Sequence, residues 1–151
     1  MNQDLNHSSN KRVAVQPNEK WDIWEPVQGL STRYKSGILC DKVHELILVL
    51  RPYSGDDRSV VLTFEHAVNA YACTEQSLKV RAMQEYIEQG TLSEWAFYRV
   101  SDSPYVQWIV KESCAISEQF PLKHFVCVAG TTLFDIVATY EPAAEFVDVA
   151  Y

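Results

Sequence analysis

Glycine is sparse in this chain, and its five residues form neither a G-x-G-x-x-G nor a P-loop. Nucleotide phosphates need the clustered backbone N–H groups that such loops present, so nucleotide binding has no motif here. The four cysteines, Cys40, Cys73, Cys114 and Cys127, share no C-x-x-C or other ligand spacing. Neither a zinc knuckle nor a redox pair is therefore expected. His44, His66 and His124 show no H-x-H or H-E-x-x-H, which leaves hydrogen-bonded structural roles as the expectation. Basic residues are few and scattered. Thirteen Lys and Arg stand singly apart from Lys11-Arg12, against twenty Asp and Glu, for a formal net charge of −7. Such a balance repels phosphate backbones and disfavours a nucleic-acid partner, whereas it steers a basic protein inward. Long apolar runs are also missing. The longest, residues 46–50, falls far short of the roughly twenty residues that span a bilayer. The first ten residues are polar and contain no apolar stretch of a secretory signal. Four reduced thiols in the cytoplasm are the resulting expectation.

What is present is a core. Of 151 residues 47% are hydrophobic and 12% aromatic, enough for one well-packed domain. Residues 1–20 are polar and end in Gln16-Pro17-Asn18, which suggests a loose N-terminal arm. A single α+β domain is expected over 21–142, with 143–151 as a tail after Pro142. Trp21, Ile23 and Trp24 open the strand-like sequence. Further β-rich runs cover 34–41, 45–51, 59–65 and 67–73, with a strong turn at Pro52-Tyr53-Ser54-Gly55. Residues 47–50 are apolar in both phases, as in a strand covered on both faces. Thr74 then has the character of a helix N-cap, with Leu78, Ala82 and Tyr86 on one face and Gly90 as terminator. After a strand at 95–100, Ser103-Pro104 supplies a capping hydroxyl before a proline at N1. Tyr105, Trp108, Ile109 and Glu112 share one face of that second helix. Trp108 is expected to pack it on the sheet, and Trp108→Ala to cost on the order of 3–5 kcal/mol as a core deletion. Strands at 122–129 and 133–141 close the domain around a Gly130-Thr131 turn. The fold class expected is α+β, a twisted antiparallel sheet or sandwich with two helices packed on it.

Catalytic pairings find little support. Cys127 and His124 are three apart in a strand and point to opposite faces, so they cannot meet. Glu65 and Asp135 each interrupt an apolar strand, where an acid can act as a general base. An outward-facing position in an alternating strand is the simpler expectation for both. Asp56-Asp57 sits in the glycine-containing turn and reads as a solvated tip. No catalytic residue, cofactor or metal is expected, and the chain is read as a binding module. The numerous aromatics lack the interleaved Arg and Lys of a base-stacking platform. Most belong to the core, while some can form an interface hot spot.

The stretch from Glu94 through Phe97, Tyr98, Val100, Ser103, Tyr105 and Trp108 to Ile109 is followed by His124-Phe125 and by Asp135 through Tyr140-Glu141-Pro142. It resembles an "FYxVxxSxYxxW" segment, an "HF" strand and a "DxxxxYEP" closing strand. These occur in small cytoplasmic immunity-type proteins of bacterial contact-dependent growth inhibition and polymorphic toxin systems. The resemblance covers mainly residues 94–142. It implies a non-enzymatic protein that binds and neutralises a cognate toxin domain, a basic nuclease being the expected class, and it transfers no catalytic residue. Asp56, Asp57, Glu85 and Glu88 are natural first contacts for a basic partner. The alternatives are a small-ligand-binding protein or enzyme using a sheet-face cavity, and a single-stranded nucleic-acid-binding module. The oligomeric state is left open.

Overall fold

In the computed structural model, residues 19–55, 58–66, 68–75, 95–114 and 121–148 are described. Nine strands and one helix occur among them: β1 (Lys20–Ile23), β2 (Tyr34–Asp41), β3 (Leu46–Pro52), β4 (Ser59–Phe64), β5 (Ala70–Glu75), β6 (Phe97–Ser101), α1 (Pro104–Glu112), β7 (Lys123–Ala129), β8 (Thr132–Ala138) and β9 (Ala143–Val147). They build two antiparallel sheets, ordered β1-β6-β7-β8-β5 and β2-β3-β4-β9. The antiparallel α+β architecture is as the sequence suggested.

Alternation positions the core. Leu46, Leu48 and Leu50 of β3 and Val60, Leu62 and Phe64 of β4 bury one face of the smaller sheet. They meet Phe97, Phe125, Cys127, Phe134 and Ile136 from the larger sheet in one cluster, the arrangement of a β-sandwich. The rings of Phe64 and Trp24 lie against that of Phe125, at 5.7 and 4.7 Å between centroids. At Gly37 the β2 backbone comes so close to the Phe134 ring that an added Cβ would lie 2.6 Å from it. Gly130, with φ +57°, turns the β7–β8 hairpin, and its N–H donates to the Tyr34 carbonyl at 2.7 Å.

The opposite face of the larger sheet is also buried. Register places Tyr98, Val126 and Asp135 in one row across β6, β7 and β8, with Val100, His124 and Val137 in the next. Trp21, Tyr98, Val100, Val126 and Leu133 form a second apolar cluster there. The strands enclosed on both faces are thus β7 and β8, whereas Ile47 and Val49 of β3 are only half-buried.

Several expectations need correction. Thr74 and Glu75 do not start a helix; they close β5, paired with Leu133 and Thr132. Ladder pairing there overrides local capping chemistry. The remainder of that expected helix lies outside the described residues, so α1 is the one helix described. Residues 143–147 are not tail but strand β9, paired with β4 from Ser59↔Val147 to Thr63↔Ala143. β8 already ends at Ala138, and Pro142 immediately precedes β9, which belongs to the other sheet. Trp108 does not pack α1 on the sheet. It is 57% exposed, and no α1 residue is fully buried.

Candidate functional site

Strand β6 ends in a tight reversal. Asp102 takes φ 51°, a left-handed conformation that a short polar side chain tolerates better than most. Ser103 then caps α1: its Oγ accepts from the Val106 N–H at 3.2 Å, with Pro104 following at the first turn. That cap was legible in the sequence, but its other partner was not. Ser103 Oγ lies 2.7 Å from His124 Nδ1, and His124 Nε2 lies 2.8 Å from Asp135 Oδ1. All three residues are only 4% exposed.

Donor and acceptor counting gives this chain one self-consistent direction. An ionised carboxylate only accepts, so Nε2 carries a proton to Asp135. In the tautomer with its proton on Nε2, Nδ1 is an acceptor, and the Ser103 hydroxyl donates to it while receiving the Val106 N–H. Each polar atom is matched, as burial requires. The Asp135 charge is felt nearby. Desolvation, reinforced by Asp135, pushes up the Cys127 thiol and, less strongly, the Cys73 thiol and the Tyr105 phenol.

Aromatic rings continue the chain outward. Tyr105 meets the His124 ring edge-on at 5.7 Å, and Trp108 stacks on Tyr105 at 6.2 Å with 13° between planes. A column therefore runs from a buried carboxylate to an exposed indole. Among the described residues, two clefts flank it. One, about 530 Å³, is bordered by Ser103, Val106, Gln107, Lys123 and His124. The other, about 390 Å³, lies between the β2–β3 turn, the start of β5 and the Tyr105–Trp108 face of α1.

A serine, imidazole and carboxylate in line can activate a hydroxyl for acyl transfer. Here Ser103 is enclosed and its oxygen is engaged by the helix cap, which suits a structural clamp better than an attacking nucleophile. The imidazole presents Nδ1 to the serine and Nε2 to the acid. No group of three or more His, Cys, Asp or Glu suited to a metal ion occurs among the described residues.

The partner-contact residues named from sequence, Asp56, Asp57, Glu85 and Glu88, lie outside the described residues. Glu65 faces outward as expected, but Asp135 is a correction: it is buried and bonded to His124. Its strand phase does point away from the sandwich core, yet that side of the sheet is enclosed too. His124 and Cys127 lie on opposite faces as anticipated. Of the thiols, only Cys127 is buried; Cys40, Cys73 and Cys114 are exposed. His44 and His66 are exposed, the latter against the Tyr140 ring at 4.9 Å. The signal that was overlooked is register. A hairpin turning at Gly130-Thr131 pairs Val126 with Asp135 and His124 with Val137, so His124 and Asp135 become diagonal neighbours on one face.

No family model, curated protein or solved structure matches this chain. Among the described residues, no helix is long and apolar enough to cross a membrane.

Proposed function

We propose that this protein is a non-enzymatic, cytoplasmic immunity-type protein that binds and neutralises a cognate toxin domain, a basic nuclease being the class its charge favours. The column from Asp135 to Trp108 carries the reading. Ser103, Tyr105, Trp108, His124 and Asp135, five of the residues that carry the immunity-type resemblance, are joined by contacts that fix the start of α1 and present its indole to solvent. An exposed, rigidly backed Trp–Tyr pair is the kind of feature that anchors a protein interface. The net charge of −7 adds long-range attraction for a basic partner. Co-expression tests the reading. This reading expects a toxin domain encoded immediately upstream that kills cells lacking this protein and spares cells that make it; equal killing, or no such neighbour, sinks the proposal.

A second reading is favoured by one observation, the in-line Ser103, His124 and Asp135. If the wider cleft admits an ester, Ser103 would attack the acyl carbon and pass its proton through His124 to the leaving group; water would then release the acyl group. A fluorophosphonate probe decides. Labelling at Ser103 that disappears in His124→Ala supports a hydrolase, while an unlabelled folded protein excludes it.

A further inference from the structure

We propose that the cleft between the β2–β3 turn, the start of β5 and α1 receives an arginine side chain of the partner protein, a proposal that rests on the partner-binding reading above. Aromatic surface lines it. Trp108 is 57% and Tyr71 39% exposed, and Val43 at the rim is 88% exposed. Scattered single apolar residues on a surface call for no explanation, but several converging on one cleft do.

Acidic groups share the opening. Asp41 ends β2 and Glu45 precedes β3, with Lys42 as the one cation among the described residues lining the same cleft, leaving an excess of one negative charge among them. Lys42 is engaged with Glu45 at 3.1 Å, within a turn closed by the Lys42 N–H donating to the Glu45 carbonyl at 2.9 Å. The Tyr71 hydroxyl donates to Asp41 Oδ2 at 2.8 Å. That bond, with smaller contributions from desolvation and the Asp41 charge, raises the phenol pKa. Tyr71 therefore stays a neutral donor that holds the carboxylate against the aromatic wall.

This combination selects its occupant. A guanidinium stacks on an indole or phenol face and offers a planar fork of donors to a carboxylate. An ammonium supplies charge without the flat face. A neutral apolar side chain would desolvate the carboxylates with no compensating bond, and a phosphate would be repelled.

Two measurements test the site. In the first, N-acetyl-arginine amide is titrated into the protein while the Trp108 indole N–H is followed by NMR, its resonance assigned through Trp108→Phe. The expected result is a saturable shift with the arginine amide, a weaker one with the lysine amide and none with the isosteric citrulline amide. Asp41→Asn should abolish the shift. Equal responses to arginine and citrulline amides, or an unchanged response in Asp41→Asn, overturn the site. In the second, Trp108→Ala and Asp41→Asn are co-expressed with the toxin domain that the immunity reading expects upstream, with circular dichroism confirming the fold. Each should weaken toxin binding about tenfold or more, the scale of an interface anchor, and reduce protection. If wild type protects and both variants protect equally, the cleft is not the contact. If wild type fails to protect, the immunity reading falls, and the arginine titration alone decides whether the cleft binds guanidinium.

Discussion

Ser103, His124 and Asp135 form a chain in which every member depends on the next, which makes it costly to interrupt. Removing His124 leaves a buried carboxylate without its partner, so His124→Ala should lower unfolding free energy by about 3–5 kcal/mol in urea titrations. Ser103→Ala loses a helix cap worth about 1 kcal/mol and strands the imidazole acceptor, for a total of roughly 2–4 kcal/mol. The two changes should not add. A double-mutant cycle should return a coupling of about 1–3 kcal/mol, because both act on one hydrogen-bond chain. A coupling near zero would show that the chain is not energetically connected. The thiols give a second residue-scale prediction. Cys40, Cys73 and Cys114 are exposed, whereas Cys127 is enclosed in the sandwich core and its thiol is pushed up by desolvation. Reaction with a chromogenic disulfide should count three groups in native protein and a fourth only on unfolding, since the thiolate is the reactive form. A fast fourth group in native protein would contradict the burial of Cys127.

Strand positions were largely legible because alternation and turn residues report local geometry directly. The run at residues 34–41 became β2, Ser103-Pro104 did start α1, and Gly130-Thr131 did turn the β7–β8 hairpin. What periodicity cannot supply is the identity of the surface opposite. Tyr105 and Trp108 do share a helix face, but solvent and a cleft lie beside it rather than a core. Asp135 was misjudged for the reverse reason: an outward strand phase meets water only where the sheet is bare. The polar chain spans 21 residues from Ser103 to His124 and a further 11 to Asp135, beyond any local pattern, although hairpin register brings the last two together. Trp108→Ala should therefore change unfolding free energy by no more than about 0.5 kcal/mol, the usual range of surface substitutions. A loss of several kcal/mol would restore the core role first expected for it. Gly37→Ala tests how β2 sits on β8. Its new methyl would press on the buried Phe134 ring, and the resulting overpacking should cost about 1–3 kcal/mol by thermal or urea unfolding.

Across the whole molecule the charge of −7 predicts how binding responds to ionic strength. Association with the proposed basic toxin domain should slow several-fold between low and physiological salt, with dissociation changing little. Stopped-flow mixing at several salt concentrations would measure this, and a salt-independent association rate would remove charge steering from the account. The order of strands has a separate consequence, in time rather than in energy. The β6-β7-β8 meander is local, but its flanking strands come from far away in sequence: Lys20 pairs with Ser101, and Glu75 with Thr132. The smaller sheet likewise waits for Val147 to reach Ser59. Loops of that length must close before either sheet is complete, and folds dominated by such pairings take on the order of milliseconds to seconds. On the proposed immunity reading, a cell making a toxin and this chain together would gain protection only after that interval. Partner binding that accelerates with the age of newly refolded protein would be its kinetic trace.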